Sequence, residues 1–149
     1  MAYFRTISKL QKMLSLFSRD ERWLILINAD PDAMASAMAL KRILSHRVHD
    51  VDIAKINEIT RPDNLAMIRY TRIHMLDYKP EMLANYQRLA MVDSQPHHSP
   101  VFKELNFSLI IDHHPLPETP AQAVYVEIKP EYGATSTMMT EYLYNLDIR

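Results

Sequence analysis

The chain alternates uniformly apolar runs with stretches whose apolar residues recur every three or four positions. The runs 23–27, 89–92 and 107–111 are too continuously apolar for strands with one face in water, so they predict parallel strands covered on both faces. Residues 51–56 alternate like a strand nearer the sheet edge, and residues 124–128 predict a short final strand.

Helical spacing marks the segments between these strands. The first segment carries its apolar stripe at Ile7, Leu10, Leu14 and Phe17 and should end near residues 18–20. Asp30 can cap a second helix, with Pro31 at its first position. The buried stripe of that helix is Ala33, Ala37, Leu40 and Leu44. Further helices are predicted over 62–69, 78–86 and 135–145. This alternation predicts an α/β fold of three layers, with a mainly parallel sheet flanked by helices.

Composition narrows the classes of function. The 149 residues suit one domain. A formal net charge of −1 argues against non-specific electrostatic binding of nucleic acid. A single glycine excludes the glycine fingerprint of dinucleotide binders and the phosphate loop of NTPases. Without cysteine, carboxylate and histidine are the strong metal ligands that remain, a set that favours Mn²⁺ or Mg²⁺.

No stretch of the sequence approaches the roughly 18 apolar residues of a membrane-spanning helix. The first residues, Met-Ala-Tyr-Phe-Arg-Thr, lack the basic and then apolar pattern of a secretory signal. We therefore expect a cytoplasmic protein with no membrane partner.

The strongest chemical signal is Asp112-His113-His114 at the end of the third apolar run. No turn or helix cap requires two histidines after an aspartate, so this tripeptide predicts a functional site. The carboxyl ends of parallel strands share one edge of a sheet, and ligands bind in the crevice beside that edge.

Other acids follow the other two apolar runs: Asp30 and Asp32 follow the first, and Asp93 follows the second. Each has a local explanation, since Asp30 and Asp32 suit a helix start and Asp93 suits a turn. Together, however, these carboxylates and Asp112 would repel one another in a shared crevice unless cations neutralised them. Convergence therefore predicts a pair of divalent ions, which can hold a phosphate and activate water for its hydrolysis.

Two further segments allow more than one interpretation. His97-His98 follows Asp93 closely enough to reach the same crevice, but a histidine pair flanked by prolines is also typical of a surface. Gly133 lies just before the last predicted helix, and Thr135 and Ser136 begin it. Free amides at a helix start favour an anion, although a simple capping turn explains this segment equally well. His46, His49 and His74 lack acidic neighbours at a strand end and are predicted to be solvated.

At this point the chain resembles the DHH family of phosphoesterases. The matching segments, in order, are residues 28–36 (Asn-Ala-Asp-Pro-Asp-Ala-Met-Ala-Ser), Val92-Asp93, residues 111–114 (Ile-Asp-His-His) and residues 133–137 (Gly-Ala-Thr-Ser-Thr). The family includes family II inorganic pyrophosphatases, short-oligoribonucleotide hydrolases, single-strand exonucleases and cyclic dinucleotide phosphodiesterases. The resemblance implies a Rossmann-like DHH domain and hydrolysis of a phosphodiester.

The resemblance also implies a metal centre of two Mn²⁺ ions, for which Mg²⁺ could substitute. Asp30 and Asp32 would bind separate ions, Asp93 would bridge them, and His113 would be a further ligand. Many members carry a histidine four residues before the first aspartate of this motif, and Leu26 occupies that place here. One ion is therefore expected to be held weakly or by other ligands.

For the substrate, the resemblance implies that His114 contacts the phosphate and acts in catalysis with Asp112, which orients its neighbours. Gly133, Thr135 and Ser136 are the other predicted substrate contacts. Family members carry a further metal-binding aspartate and a smaller substrate-binding domain downstream. Residues 1–149 are therefore interpreted as one DHH-type catalytic domain, the amino-terminal part of a longer chain. This domain alone would bind metal weakly and turn over slowly or not at all.

Three functions remain open on the sequence. The first is a metal-dependent phosphoesterase that acts on a phosphorylated small molecule or short oligonucleotide, and that could form a homodimer. The second is a nucleotide or metal sensor with a degenerate site. The third is a phosphorelay receiver, which would use Lys129-Pro130 after its last strand but leaves Asp112-His113-His114 unexplained.

Overall fold

The structure, a computed structural model, describes residues 2–149 and the side chains from Ile7 onward. The α-helices are α1 (Ala2–Leu14), α2 (Pro31–Leu44), α3 (Pro62–Thr71), α4 (Pro100–Lys103) and α5 (Thr135–Asn145). The strands are β1 (Arg22–Ile27), β2 (Asp50–Lys55), β3 (Leu76–Asp77), β4 (Arg88–Val92), β5 (Leu109–Asp112) and β6 (Tyr125–Ile128). Two 3₁₀ helices cover Pro80–Asn85 and Pro96–His98.

The six strands form one sheet in the order β3-β2-β1-β4-β5-β6, and every neighbouring pair is parallel. From β1 the chain winds outward in one direction to β2 and β3, and then crosses back to β4 and continues the other way. The order therefore reverses between β1 and β4. In doubly wound sheets of this kind, ligands bind at the carboxyl ends of the strands at this switch point.

Both faces of the sheet are buried, as the apolar runs predict. Trp23, Ile25 and Ile27 of β1 pack with α2 and α5 on one face, where Leu10 and Met13 of α1 join the same core. Leu24 and Leu26 point the other way, into a smaller core that includes Phe102 and Phe107. The layer on this second face is built from α4 and irregular segments. The predicted three-layer α/β fold is confirmed.

The predicted closing helix coincides with α5, and Pro31 begins α2 as expected. The strand predicted nearer the sheet edge is β2, which lies next to the two-residue edge strand β3. The differences fall where local pattern is weak. The segment 78–86 contains a 3₁₀ helix instead of an α-helix, and the predicted loop at 95–100 contains a second one.

None of the helices in residues 2–149 combines the length and the apolar character needed to span a bilayer.

Candidate metal centre

The end of β1 is held by its neighbours before it delivers the first acid. The Asn57 side chain, just beyond β2, accepts from the Ala29 amide at 2.6 Å and donates to the Ala29 carbonyl at 2.9 Å. Asp30 then caps α2, with its Oδ1 accepting from the Ala33 amide at 2.8 Å. Two strand ends are thereby tied together at the site.

We expect Asn57→Ala to destabilise the protein by about 1–3 kcal/mol, because it leaves the buried Ala29 backbone groups without partners. Urea unfolding measures this cost. Asn85→Ala, at an exposed position, is the matched control and should change stability little. Equal stabilities of the two variants would contradict the role given to the Asn57 clamp.

Asp93 follows β4 directly and is buried, with 7% of its surface exposed. Its backbone adopts φ 58°, in the left-handed region that few residues other than glycine occupy, although aspartate tolerates it. The Asp93 amide donates to the Ile111 carbonyl of β5 at 3.0 Å, and Thr135 Oγ1 donates to Asp93 Oδ1 at 3.0 Å. This turn places the carboxylate between β4, β5 and the start of α5.

Asp32, in the first turn of α2, is held by the start of α5. Its Oδ2 accepts from the Thr135 amide at 2.9 Å, and its Oδ1 accepts from the Ser136 amide at 2.7 Å. Burial alone would raise the pKa of Asp32, but the hydrogen bonds from Ser136 and Thr135 outweigh it and lower this pKa below its usual range. Asp32 is therefore ionised at neutral pH.

Asp93 has the opposite electrostatic environment. Burial, followed by the nearby charges of Asp32 and Asp30, raises the pKa of Asp93 to about 8. Two carboxylates held this close favour a shared proton or a cation between them. An acid in a cleft whose pKa is strongly raised is also typical of a functional site.

His113 aims one ring nitrogen at both of these acids. Its Nδ1 lies 3.1 Å from the Tyr132 carbonyl, which can only accept, so Nδ1 carries a proton. Its Nε2 lies 3.5 Å from Asp32 Oδ2 and 3.5 Å from Asp93 Oδ1. In the neutral imidazole three lone pairs then face one another, an arrangement that a proton on Nε2 or a bound cation would stabilise.

Asp112 and His114 form a second pair at the end of β5. Asp112 is fully buried, and its Oδ1 lies 2.7 Å from His114 Nδ1 while its Oδ2 accepts from Gln95 Nε2 at 2.7 Å. The side-chain nitrogen of Gln95 also donates to the backbone carbonyls of His114 and Pro115. Asp112 therefore fixes the orientation of the His114 ring and leaves its Nε2 free.

An open cleft of about 380 Å³ lies at this edge of the sheet, lined by Asn28, Asp30, Asp93, Ser94, His98 and His114. Asp93, His113 and His114 each offer a ligand atom within 4.8 Å of the others. Carboxylate oxygen with imidazole nitrogen is a donor set that suits Mn²⁺ and other borderline divalent ions. The residues present therefore fit a metal ion.

The structure brings the predicted metal ligands to one edge of the sheet: Asp32, Asp93 and His113 are in direct proximity, and Asp30 lines the same cleft. Gly133 is exposed before α5. The amides of Thr135 and Ser136, predicted to be free for an anion, instead hold Asp32. Their contact with substrate stays a prediction.

Sequence reasoning missed four residues around this cleft: Asn28, Asn57, Ser94 and Gln95. Asn28 and Ser94 could have been found, because each is a polar residue at or beside the end of an apolar run. The side chains of Asn57 and Gln95 act through contacts with residues at least 17 positions away in the sequence, which no local pattern reveals.

Comparison with known proteins identifies a family and a relative. A family model described as "DHH family, N-terminal domain" matches residues 23–148. An uncharacterized protein of Methanocaldococcus jannaschii is 40% identical over 122 residues, which cover 82% of this chain and 25% of that protein. The chain thus spans about a quarter of the length of this curated relative.

Proposed function

Because the chain belongs to the DHH family, which includes metal-dependent phosphoesterases, we propose that it hydrolyses a phosphodiester of a small nucleotide or short oligonucleotide through two divalent ions. One observation carries this proposal. His113 Nε2 lies 3.5 Å from carboxylate oxygens of both Asp32 and Asp93, and those acids come from different strand ends. Such a cluster costs free energy unless it binds a cation.

We assign the metal ions to Asp30, Asp32, Asp93 and His113, with Mn²⁺ as the preferred ion and Mg²⁺ as the substitute. When bound, a pair of divalent ions supplies Lewis acidity to a phosphoryl oxygen and lowers the pKa of a water molecule. The protein's own contribution is orientation. The Tyr132 carbonyl keeps the proton of His113 on Nδ1, and Thr135 holds the carboxylate of Asp93 in place.

We assign His114 to the substrate phosphate. Asp112 holds a proton on His114 Nδ1, so that Nε2 faces the cleft, where it can receive or deliver a proton at the reacting oxygen. Gly133, Thr135 and Ser136 remain candidates for substrate contact. In the structure the Thr135 and Ser136 amides donate to Asp32, so a substrate contact would have to come from other atoms of this segment.

We expect the protein to release products from dinucleotides or short RNA when loaded with Mn²⁺, and a chelator to reduce that rate to the uncatalysed background, because the carboxylate cluster alone repels an anionic substrate. Chromatography of the products measures the reaction. Readdition of Mn²⁺ to the chelated sample is the control. If the complete protein, loaded with metal, cleaved none of a panel of dinucleotides, short RNAs, pyrophosphate and polyphosphate, the hydrolase assignment would be wrong.

A second candidate function, a nucleotide sensor, is favoured by Leu26. This side chain is fully buried in the smaller core and offers no ligand atom where many family members carry histidine. Tight nucleotide binding across several metals without product formation would support sensing. A phosphorelay receiver lacks comparable support, since Lys129 forms an ion pair with Glu127 at 3.0 Å.

A further inference from the structure

The turn after β4 carries a histidine that the metal centre does not use. His98 ends the 3₁₀ helix Pro96–His98 and lines the cleft together with Asp93 and His114. Its ring stands edge-on to the His114 ring, with 5.2 Å between the centroids. His98 therefore faces the same space as the proposed phosphate contact.

The hydrogen bonds of His98 determine which ring nitrogen carries its proton. The backbone N–H of Gln95 donates to His98 Nδ1 at 3.1 Å, and a backbone N–H can only donate. Ser94 Oγ lies 3.0 Å from the same nitrogen and can donate to it as well. Nδ1 is therefore an acceptor without a proton, so the neutral ring must carry its proton on Nε2.

This tautomer decides what His98 can do. A histidine binds a divalent ion through a nitrogen lone pair, and on His98 that lone pair is occupied by the Gln95 amide. The remaining nitrogen is an N–H donor. In a cleft whose acids, Asp30 and Asp93, offer only acceptor atoms when ionised, a donor of this kind suits an anionic oxygen.

Gln95 places both cleft histidines at once. Its backbone amide holds His98, and its side chain holds Asp112, which in turn holds His114. Gln95 itself is fully buried, so this frame is fixed by packing. Gln95, three residues beyond β4, thus sets the distance between the His98 and His114 rings.

We propose that His98 binds a substrate phosphate oxygen through Nε2–H and does not bind metal; this rests on the proposed function, because it names a further contact of the same cleft with a phosphate group. His98 thereby adds a neutral donor beside His114. Loss of this donor weakens phosphate binding and leaves the metal ions in place.

The first test is spectroscopic and needs no turnover. In long-range ¹H–¹⁵N spectra of the full chain, His98 should show the Nε2-protonated tautomer, and its ring nitrogens should keep that pattern when Mg²⁺ is added. An Nδ1-protonated ring, or a change of pattern that identifies a metal bond, would overturn the proposal.

The second test uses inorganic phosphate as the probe and calorimetry with Mg²⁺ present. His98→Ala should weaken phosphate binding by about 10-fold to 100-fold, the range for a hydrogen bond to a charged group, while His98→Gln, which keeps a donor, should lose less. Mn²⁺ affinity, measured by electron paramagnetic resonance, should be unchanged. His74→Ala, which removes an exposed histidine away from the cleft, is the matched control.

Loss of Mn²⁺ binding in His98→Ala, or phosphate affinity equal to that of His74→Ala, would contradict the proposal. So would a parent protein that binds no phosphate. If the protein binds phosphate through His98 but hydrolyses nothing, the binding role stands and the hydrolase assignment fails, so the two outcomes are distinguishable.

Discussion

Asp93→Asn is expected to lower kcat/KM for phosphodiester hydrolysis by about 10³-fold or more, a larger effect than the loss of one oxyanion donor in other hydrolases. Asparagine keeps the volume of the side chain and can still accept from Thr135 Oγ1, so the fold should survive. It removes the buried negative charge that faces His113 Nε2. The rate with bis(4-nitrophenyl) phosphate and the Mn²⁺ stoichiometry measure the effect.

The control for this variant is Asp63→Asn, which removes a carboxylate from the exposed first turn of α3. Its rate and metal binding should match those of the parent protein. If Asp93→Asn instead kept the parental rate and bound the same number of ions, Asp93 would not be a metal ligand, and the proposed centre would have to be rebuilt around other residues.

Much of the fold follows from the sequence because buried parallel strands leave a distinctive pattern. The continuous apolar run of β1 can be satisfied only by cover on both faces, and Trp23 and Leu24 do enter opposite cores. β3 could not be predicted in this way. Its two residues, Leu76 and Asp77, form a strand only because β2 offers them a partner, and Asp77 also pairs with Lys55 of β2.

The candidate site divides along similar lines. That Asp30, Asp93 and Asp112 reach a common edge follows from topology, because each comes at or just after the end of a parallel strand. The positive φ of Asp93 and the hydrogen bond from Gln95 to Asp112 cannot be predicted from the topology. Both depend on contacts made only after the sheet has assembled. Such backbone conformations cluster at functional sites, where surrounding structure maintains them.

Asp93 also predicts an unusual pH dependence of stability in the metal-free protein. Its pKa is raised from 3.8 to about 8, first by burial and then by Asp32 and Asp30. The stability contributed by protonated Asp93 is therefore fully present below about pH 4 and is lost as pH rises through about 8. Over this window the free energy of unfolding should fall by up to about 1.4 kcal/mol per pH unit. Urea unfolding with chelator between pH 5 and pH 8 measures it.

Asp93→Asn isolates this contribution and that of its direct neighbours, because the difference in unfolding free energy between parent and variant cancels the titrating groups that do not contact Asp93. The variant should lose this part of the pH dependence and be more stable than the metal-free parent at pH 8, although it is the inactive form. Mn²⁺ should stabilise the parent at pH 8, since a cation that binds only the folded state offsets the repulsion between Asp93 and Asp32. A difference that stays constant from pH 5 to pH 8 would mean that Asp93 is already ionised throughout. The acids would then not repel one another strongly enough to require a cation, and the electrostatic argument for the metal centre would fail.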